Sequence, residues 1–293
     1  MHPLIEKLLK NGVAVTDGSW GTQMQSRGLK LGESPDSWNI NHPDLVAEVA
    51  QQYLNAGSQV ILTNTFSANR FVLEKFGIAD QVEEINRKGV EVSKKAAQDR
   101  AAVFASIGPS GKLLVTNDVT EDALFQAYEV QAKAQAAAGA DGIIIETMMD
   151  LNEAKVAVSA AKQTGLPVIA CMVFDSGRDK DRTTMGNTTE EAVEAFTELG
   201  ADVVGANCGQ GIEGFIPICK RLRNATVLPI WMKPNAGFPE FEDGAVVYKT
   251  TAKEFAGYVP ELISAGANFI GGCCGTDENF IIEIKKAVEK IKK

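Results

Sequence analysis

The sequence has no apolar run of about 18 residues, the length a bilayer-spanning helix requires, so nothing in it reads as a membrane span. Its first residues, Met1-His2-Pro3-Leu4-Ile5-Glu6-Lys7, carry an early acid and no apolar stretch of signal-peptide length. Basic residues are outnumbered, 29 Lys and Arg against 38 Asp and Glu, giving a formal net charge of −9. They form no run longer than a pair, as at Lys94-Lys95, Lys220-Arg221, Lys285-Lys286 and Lys292-Lys293. Nucleic acid is thereby excluded as the main ligand, since a phosphate-binding surface needs a concentrated basic patch. The terminal lysines are expected on the exposed last turns of a helix, where cations complement the dipole. Aromatic residues are sparse, at 7%. No G-x-G-x-x-G follows the first apolar run, which counts against a doubly wound dinucleotide-binding sheet. Cysteine is scarce too, with five in the chain. Without a secretory address these thiols are expected to stay reduced, in a cytoplasmic protein, where metal binding or catalysis is their common use.

What is present is ordinary for a globular protein: 45% hydrophobic and 23% charged residues. A length of 293 residues suits one α/β barrel, a fold of about 250 residues. No linker rich in proline or serine divides the chain, so one domain over residues 1–293 is expected.

One junction recurs four times: Ala56-Gly57-Ser58-Gln59, Ala138-Gly139-Ala140-Asp141, Leu199-Gly200-Ala201-Asp202 and Ala265-Gly266-Ala267-Asn268. Each follows an amphipathic helical pattern and precedes an apolar run, placing glycine where a left-handed residue stops a helix. The spacing of the glycines is about two βα units each time, so the repeat marks every second unit of a longer series. Filling in the rest gives eight strands: Val13–Thr16, Val60–Thr63, Val103–Ile107, Gly142–Ile145, Val168–Val173, Val203–Ala206, Pro229–Met232 and Phe269–Gly271. Helical patterns follow them at Asp44–Asn55, Ala79–Gln98, Glu121–Ala138, Asn152–Thr164, Thr189–Leu199, Ile212–Leu222, Thr251–Ser264 and Glu278–Ile291. Strict alternation predicts a parallel sheet with helices outside, and eight units predict closure into a (β/α)8 TIM-type barrel.

Barrel chemistry sits at the C-terminal strand ends. Those ends read Asp17-Gly18, Asn64-Thr65, Gly108-Pro109, Glu146-Thr147, Phe174-Asp175, Asn207-Cys208, Lys233-Pro234-Asn235 and Cys273-Cys274. Acids, amides and three cysteines therefore converge on one rim. Three thiolates are one ligand short of a closed tetrahedral zinc site, and an open position is the mark of a catalytic zinc rather than a structural one. Cys171, inside an apolar strand, and Cys219, in a helix, read as packing residues. Lys233 reads as lining the rim. Trp20, Phe66, Trp231 and Phe238 either wall the pocket or pack beneath it.

Taken together, Asp17-Gly18, Thr63-Asn64-Thr65-Phe66, Glu146-Thr147, Asn207-Cys208-Gly209, Pro234-Asn235-Ala236-Gly237 and Gly271-Gly272-Cys273-Cys274-Gly275-Thr276 resemble the homocysteine S-methyltransferase family across essentially the whole chain. The likeness is greatest to the homocysteine-binding module of cobalamin-dependent methionine synthase. It implies zinc held by Cys208, Cys273 and Cys274. It also implies that Glu146 and Asp17 hold the amino-acid end of homocysteine, with Asn235 and backbone amides near Gly18 and Asn64-Thr65. The sequence contains no folate-binding or cobalamin-binding module. It also lacks a D-x-H-x-x-G motif, its only histidines being His2 and His42. The methyl donor is accordingly open between a methyl-corrinoid, such as methylcobalamin supplied by a partner protein, and a small onium such as S-methylmethionine or betaine.

The chemistry suits the residues. A free thiol, with a pKa near 8.5, is mostly protonated at neutral pH and attacks poorly. A metal ligand must be deprotonated, and three protein thiolates already leave the zinc electron-rich. A fourth thiolate bound there keeps its nucleophilicity, whereas the neutral thioether product is a weak ligand and leaves. A zinc-holding or thiol-redox sensor without catalysis is the reading from a different class; it needs neither Glu146 nor an open mouth.

Overall fold

The computed structural model describes residues 1–242 and 245–291; Lys292 and Lys293, expected at a helix end, lie outside the described residues. Eight parallel strands form one sheet: β1 (Ala14–Val15), β2 (Val60–Leu62), β3 (Ala102–Ile107), β4 (Gly142–Met148), β5 (Val168–Met172), β6 (Val203–Gly211), β7 (Ile230–Asn235) and, after a hairpin of β8 (Glu240–Glu242) and β9 (Ala245–Val247), β10 (Phe269–Ile270). Their order is β1-β10-β7-β6-β5-β4-β3-β2. The ends of that series meet, because the Gln59 N–H donates to Val15 O at 2.8 Å. The expected (β/α)8 barrel is the fold.

The recurring junction turns out to staple the strands in pairs. Gln59, Asp141, Asp202 and Asn268 each send a backbone N–H to the neighbouring strand, at Val15, Val103, Val168 and Ile230 respectively. Each then accepts, on its own side chain, the N–H of that same residue, at 2.7 to 3.1 Å. The glycine two residues earlier has φ of 101°, 90°, 76° and 114° in turn, which a Cβ would oppose. The sequence repeat is thus a repeated seam: one polar side chain satisfies the first orphan donor of the adjacent strand, where an unpaired buried N–H is costly.

Two apolar layers follow from strand alternation. Ala14, Val60, Leu62, Phe104, Ile144, Ile169, Cys171, Val203, Trp231 and Phe269 point inward and fill the barrel with Ile5, all buried. Trp231 stacks between Phe104 and Phe269, with ring centroids 6.5 and 5.2 Å away. Trp231 is therefore core and not pocket wall, and Cys171 packs beside it as expected. Ile5 belongs to a helix over Pro3–Leu9 that the sequence reading did not foresee. Alternate residues such as Val15, Ile61, Val103, Ile143, Val168, Val204 and Met232 face outward against the helices.

The outer helices match the reading with two adjustments. The segment after β9 is two helices, Ala252–Gly257 and Val259–Ser264, separated at Tyr258. Pro260 has no N–H to continue the first helix, and sits instead at the start of the second. The helix read as Ala79–Gln98 opens with a 3-10 turn over Ala79–Gln81 before Val82–Ala97. Two outer helices open on capping boxes: Thr188 with Glu191, and Thr251 with Glu254. No helix among the described residues is long and apolar enough to cross a membrane.

Candidate metal and substrate site

Two irregularities at the C-terminal ends of β4 and β6 build the rim. Between Ile145 and Met148, β4 spends three steps where β5 spends two; between Asn207 and Gly211, β6 spends four where β7 spends two. Bulges of this kind re-aim side chains out of the ladder. The first carries Glu146-Thr147 and the second Cys208-Gly209. Thr147 and Cys208 both take left-handed backbone, at φ 61° and 62°. For a β-branched residue such as Thr147 that conformation is held by its surroundings, not by preference. The strand reading stopped β4 at Ile145 and β6 at Ala206; the structure extends both through these bulges.

The other two cysteines arrive on the loop after β10. Gly271 and Gly272 let this loop lie directly on β1: a Cβ at Gly271 would run into Thr16 and the Asp17 carbonyl, and one at Gly272 into Thr276. The backbone is then tied down. Gly272 N–H donates to Asp17 O at 3.0 Å, Cys273 N–H to Pro234 O at 2.8 Å, and Cys274 N–H to Asn235 Oδ1 at 3.1 Å. As a result the sulfurs of Cys208, Cys273 and Cys274 all lie within 4.8 Å of one another, with Cys208 and Cys274 at 3.8 Å. All three are partly exposed, unlike the buried Cys171 and Cys219. Crowding makes free thiols here hard to ionise. For Cys208 the contact with Cys273 pulls the pKa down, but the contact with Cys274 and burial outweigh it and push the thiol up to about 12.

Below the cysteines lies a polar floor. Glu146, 7% exposed, accepts the Ser106 hydroxyl at 2.5 Å and a long bond from Asn207 Nδ2 at 3.4 Å. Burial raises its pKa against the opposing pull of Lys233 and Ser106. Asp17, fully buried, accepts Lys233 Nζ at 2.5 Å, the Trp20 indole N–H at 2.7 Å and the Leu62 N–H at 2.7 Å. Lys233 does not line an open rim; it is 3% exposed. Burial works against its charge, but Asp17 and Glu146 outweigh that cost and its pKa stands above the usual lysine value.

The side chains of Asn64 and Thr65 are spent on the protein. Asn64 Nδ2 donates to Pro35 O and Asn39 Oδ1, and Thr65 Oγ1 donates to Ser106 O while meeting Thr63 Oγ1 at 2.6 Å. Their backbone carbonyls are committed as well, Asn64 O to Asn39 Nδ2 and Thr65 O to Gln131 Nε2. Asn235 likewise commits its side-chain oxygen to the cysteine loop. Among the aromatic residues, Trp20 leans on Asp17, whereas Phe66 and Phe238 are exposed at the mouth, at 36% and 49%.

Four contributors were not read as site residues from the sequence, although Asn207 and Lys233 were placed on the rim. Asn207 links Thr147, Glu146 and Cys273, and only its place beside Cys208 pointed to it. Lys233 was visible as a lone cation in the apolar run Ile230-Trp231-Met232. Ser106 sits inside β3 with no local signal. Tyr248, just past the β8–β9 hairpin, fills the space beside Gly275 with its ring, next to Cys274.

Comparison with known proteins adds the following. Methionine synthase of Mycobacterium tuberculosis is 28% identical over 308 aligned residues, and that of Mycobacterium leprae is 28% identical over 309. Each alignment covers 98% of this chain, which spans only a quarter of the length of those relatives. The metallated form of the homocysteine methyltransferase MmuM from Escherichia coli superposes with a TM-score of 0.82 at 24% identity, over 97% of this chain and 99% of that one. The oxidised form of MmuM gives 0.80 at 23% identity, over 96% and 99%. The family described as homocysteine S-methyltransferase matches residues 14–288, and the chain belongs to that family.

Proposed function

We propose that the chain works over residues 1–293 as one barrel that holds zinc through Cys208, Cys273 and Cys274 and transfers a methyl group to the thiol of homocysteine, giving methionine. The observation that carries the reading is the cysteine triad. Thiolates at about 2.3 Å from a tetrahedral zinc stand about 3.8 Å apart, and Cys208 and Cys274 stand 3.8 Å apart. An all-sulfur donor set is the set zinc favours, and three protein donors leave one position for a substrate sulfur. When bound, the ion supplies a site at which the incoming thiol loses its proton at neutral pH.

The protein groups do the rest. Glu146 receives the substrate ammonium, since its Oε2 carries only the long contact from Asn207. Asp17, with three protein donors already, adds negative potential from behind. Backbone amides around Gly18 and Asn64-Thr65, with the Asn235 amide nitrogen, face the substrate carboxylate. Thr147 and Asn207 keep this amino-acid pocket in register with the cysteines. Held at both ends, homocysteine presents its sulfur in one orientation, which is where most of the advantage of a positioned reactant lies.

For the donor we infer a methyl-corrinoid carried by a separate protein. Its support is the match to methionine synthases over nearly the whole chain. The exposed rings of Phe66 and Phe238 favour a second reading, a small onium donor, because cations seek aromatic faces. The test is direct. Zinc-loaded protein is given homocysteine with methylcobalamin, S-methylmethionine or betaine, and methionine is measured. Methionine from methylcobalamin alone supports the first reading and methionine from an onium the second; none from any donor counts against methyl transfer.

A further inference from the structure

Lys233 is a charged side chain sealed inside the barrel mouth, 3% exposed, on β7, the strand whose end holds the cysteine loop by hydrogen bonds. Burying an ammonium is costly unless something compensates it. The compensation comes from two carboxylates: Asp17 at 2.5 Å, then the negative charge of Glu146. Across β6, Lys233 is the register partner of Asn207, the residue next to Cys208. The chain from Pro234 and Asn235 directly grips Cys273 and Cys274. So the strand that holds the ammonium against Asp17 is also the strand on which the cysteine loop is fastened.

Replacing free thiols by a dication held on three thiolates makes that corner of the protein more negative, and a fourth thiolate makes it more negative still. A fixed positive charge close by stabilises both changes, and in a water-poor mouth the effect is larger than in solution. We propose that Lys233 is a positioning residue that acts electrostatically on the cysteine triad, strengthening its hold on the metal and drawing electron density off the thiolates. The proposal rests on the zinc reading of the triad. Asp17 is the counterweight: it partly cancels the field of Lys233 at the sulfurs, while Glu146 also supports the charge of the ammonium.

The sign of the effect separates this role from a structural one. Zinc affinity is measured by chelator competition in the native protein, in Lys233→Met and in Asp17→Asn. Cobalt-substituted samples report the sulfur-to-metal charge-transfer band. Lys233→Met should lose about tenfold or more in zinc affinity, with the band moved to lower energy. Asp17→Asn should bind zinc at least as tightly as the native protein, with the band moved to higher energy. Equal losses in both variants, or unchanged affinity and spectra, would overturn the proposal while leaving the zinc site intact. If Lys233→Met does not fold, Asp17→Asn decides alone, and weaker zinc binding there overturns the proposal. A native protein that takes up no zinc would overturn the metal reading, and this inference with it.

Discussion

Asn207 and Thr147 are joined twice across the barrel mouth: Asn207 Nδ2 donates to Thr147 Oγ1 at 2.6 Å, and the Thr147 N–H donates to Asn207 Oδ1 at 2.7 Å. The same Asn207 amide reaches Glu146 Oε2 at 3.4 Å and Cys273 Sγ at 3.9 Å. One buried amide therefore couples the acid of the β4 bulge to the cysteines, and it holds Thr147 in left-handed backbone. Asn207→Ala strips the Thr147 N–H of its acceptor, at a cost of about 1–3 kcal/mol. Denaturant unfolding should show that loss, and homocysteine affinity should fall with it. Unchanged stability would mean that the bulge holds itself.

Glu146 is expected to govern the amino-acid end of the substrate. Glu146→Gln keeps the shape and removes the charge, a contact worth roughly 1.5–3 kcal/mol. Homocysteine affinity by calorimetry should drop about tenfold to a hundredfold, with zinc content unchanged. A simple thiol without the amino-acid end should lose little. Equal losses for both thiols would assign Glu146 to the fold or the metal instead.

Binding of homocysteine should release a proton, because a thiol enters the site and a thiolate remains there. Calorimetry in buffers of different ionisation enthalpy reads this directly. Heats independent of the buffer, once zinc is saturating, would rule out deprotonation on binding.

Asp36 makes the fold itself pH-sensitive. It sits in a 3-10 turn, 1% exposed, with Oδ1 on the Ser67 N–H at 3.0 Å and Oδ2 without a partner. Burial pushes its pKa up to about 7 from 3.8, against the pull of the Ser67 N–H. A carboxyl whose folded pKa lies above its unfolded one stabilises the fold most when protonated, and that contribution is lost as pH rises toward the folded value. Asp36→Asn should therefore match the native protein near pH 4 and exceed it increasingly up to about pH 7, by a few kcal/mol at most. Thermal unfolding from pH 5 to 8 checks this; a difference that does not grow with pH contradicts it.

Much of this was legible in the sequence because barrels repeat. The four glycine junctions announced the alternation, and their last residues, Gln59, Asp141, Asp202 and Asn268, proved to be the staples between strand pairs. Cys208, Cys273 and Cys274 were legible because glycines and strand ends flank them. The helix Pro3–Leu9 was not, since seven residues give too short a period to read. The bulges at Thr147 and Cys208 were hidden for another reason. Left-handed backbone at non-glycine residues is imposed by long-range bonds such as those of Asn207, and no local preference records it. The commitment of Lys233 to Asp17 spans 216 residues of sequence and is likewise a product of closure.

The central claim is that the cysteine triad holds zinc and leaves one position for the substrate sulfur. X-ray absorption at the zinc edge, taken on the zinc-loaded protein before and after homocysteine, counts the sulfurs around the metal. The account predicts three sulfurs at about 2.3 Å without substrate and four with it, and no zinc in Cys208→Ala or Cys273→Ala. An unchanged sulfur count on adding homocysteine, or full zinc retention in both variants, would contradict it.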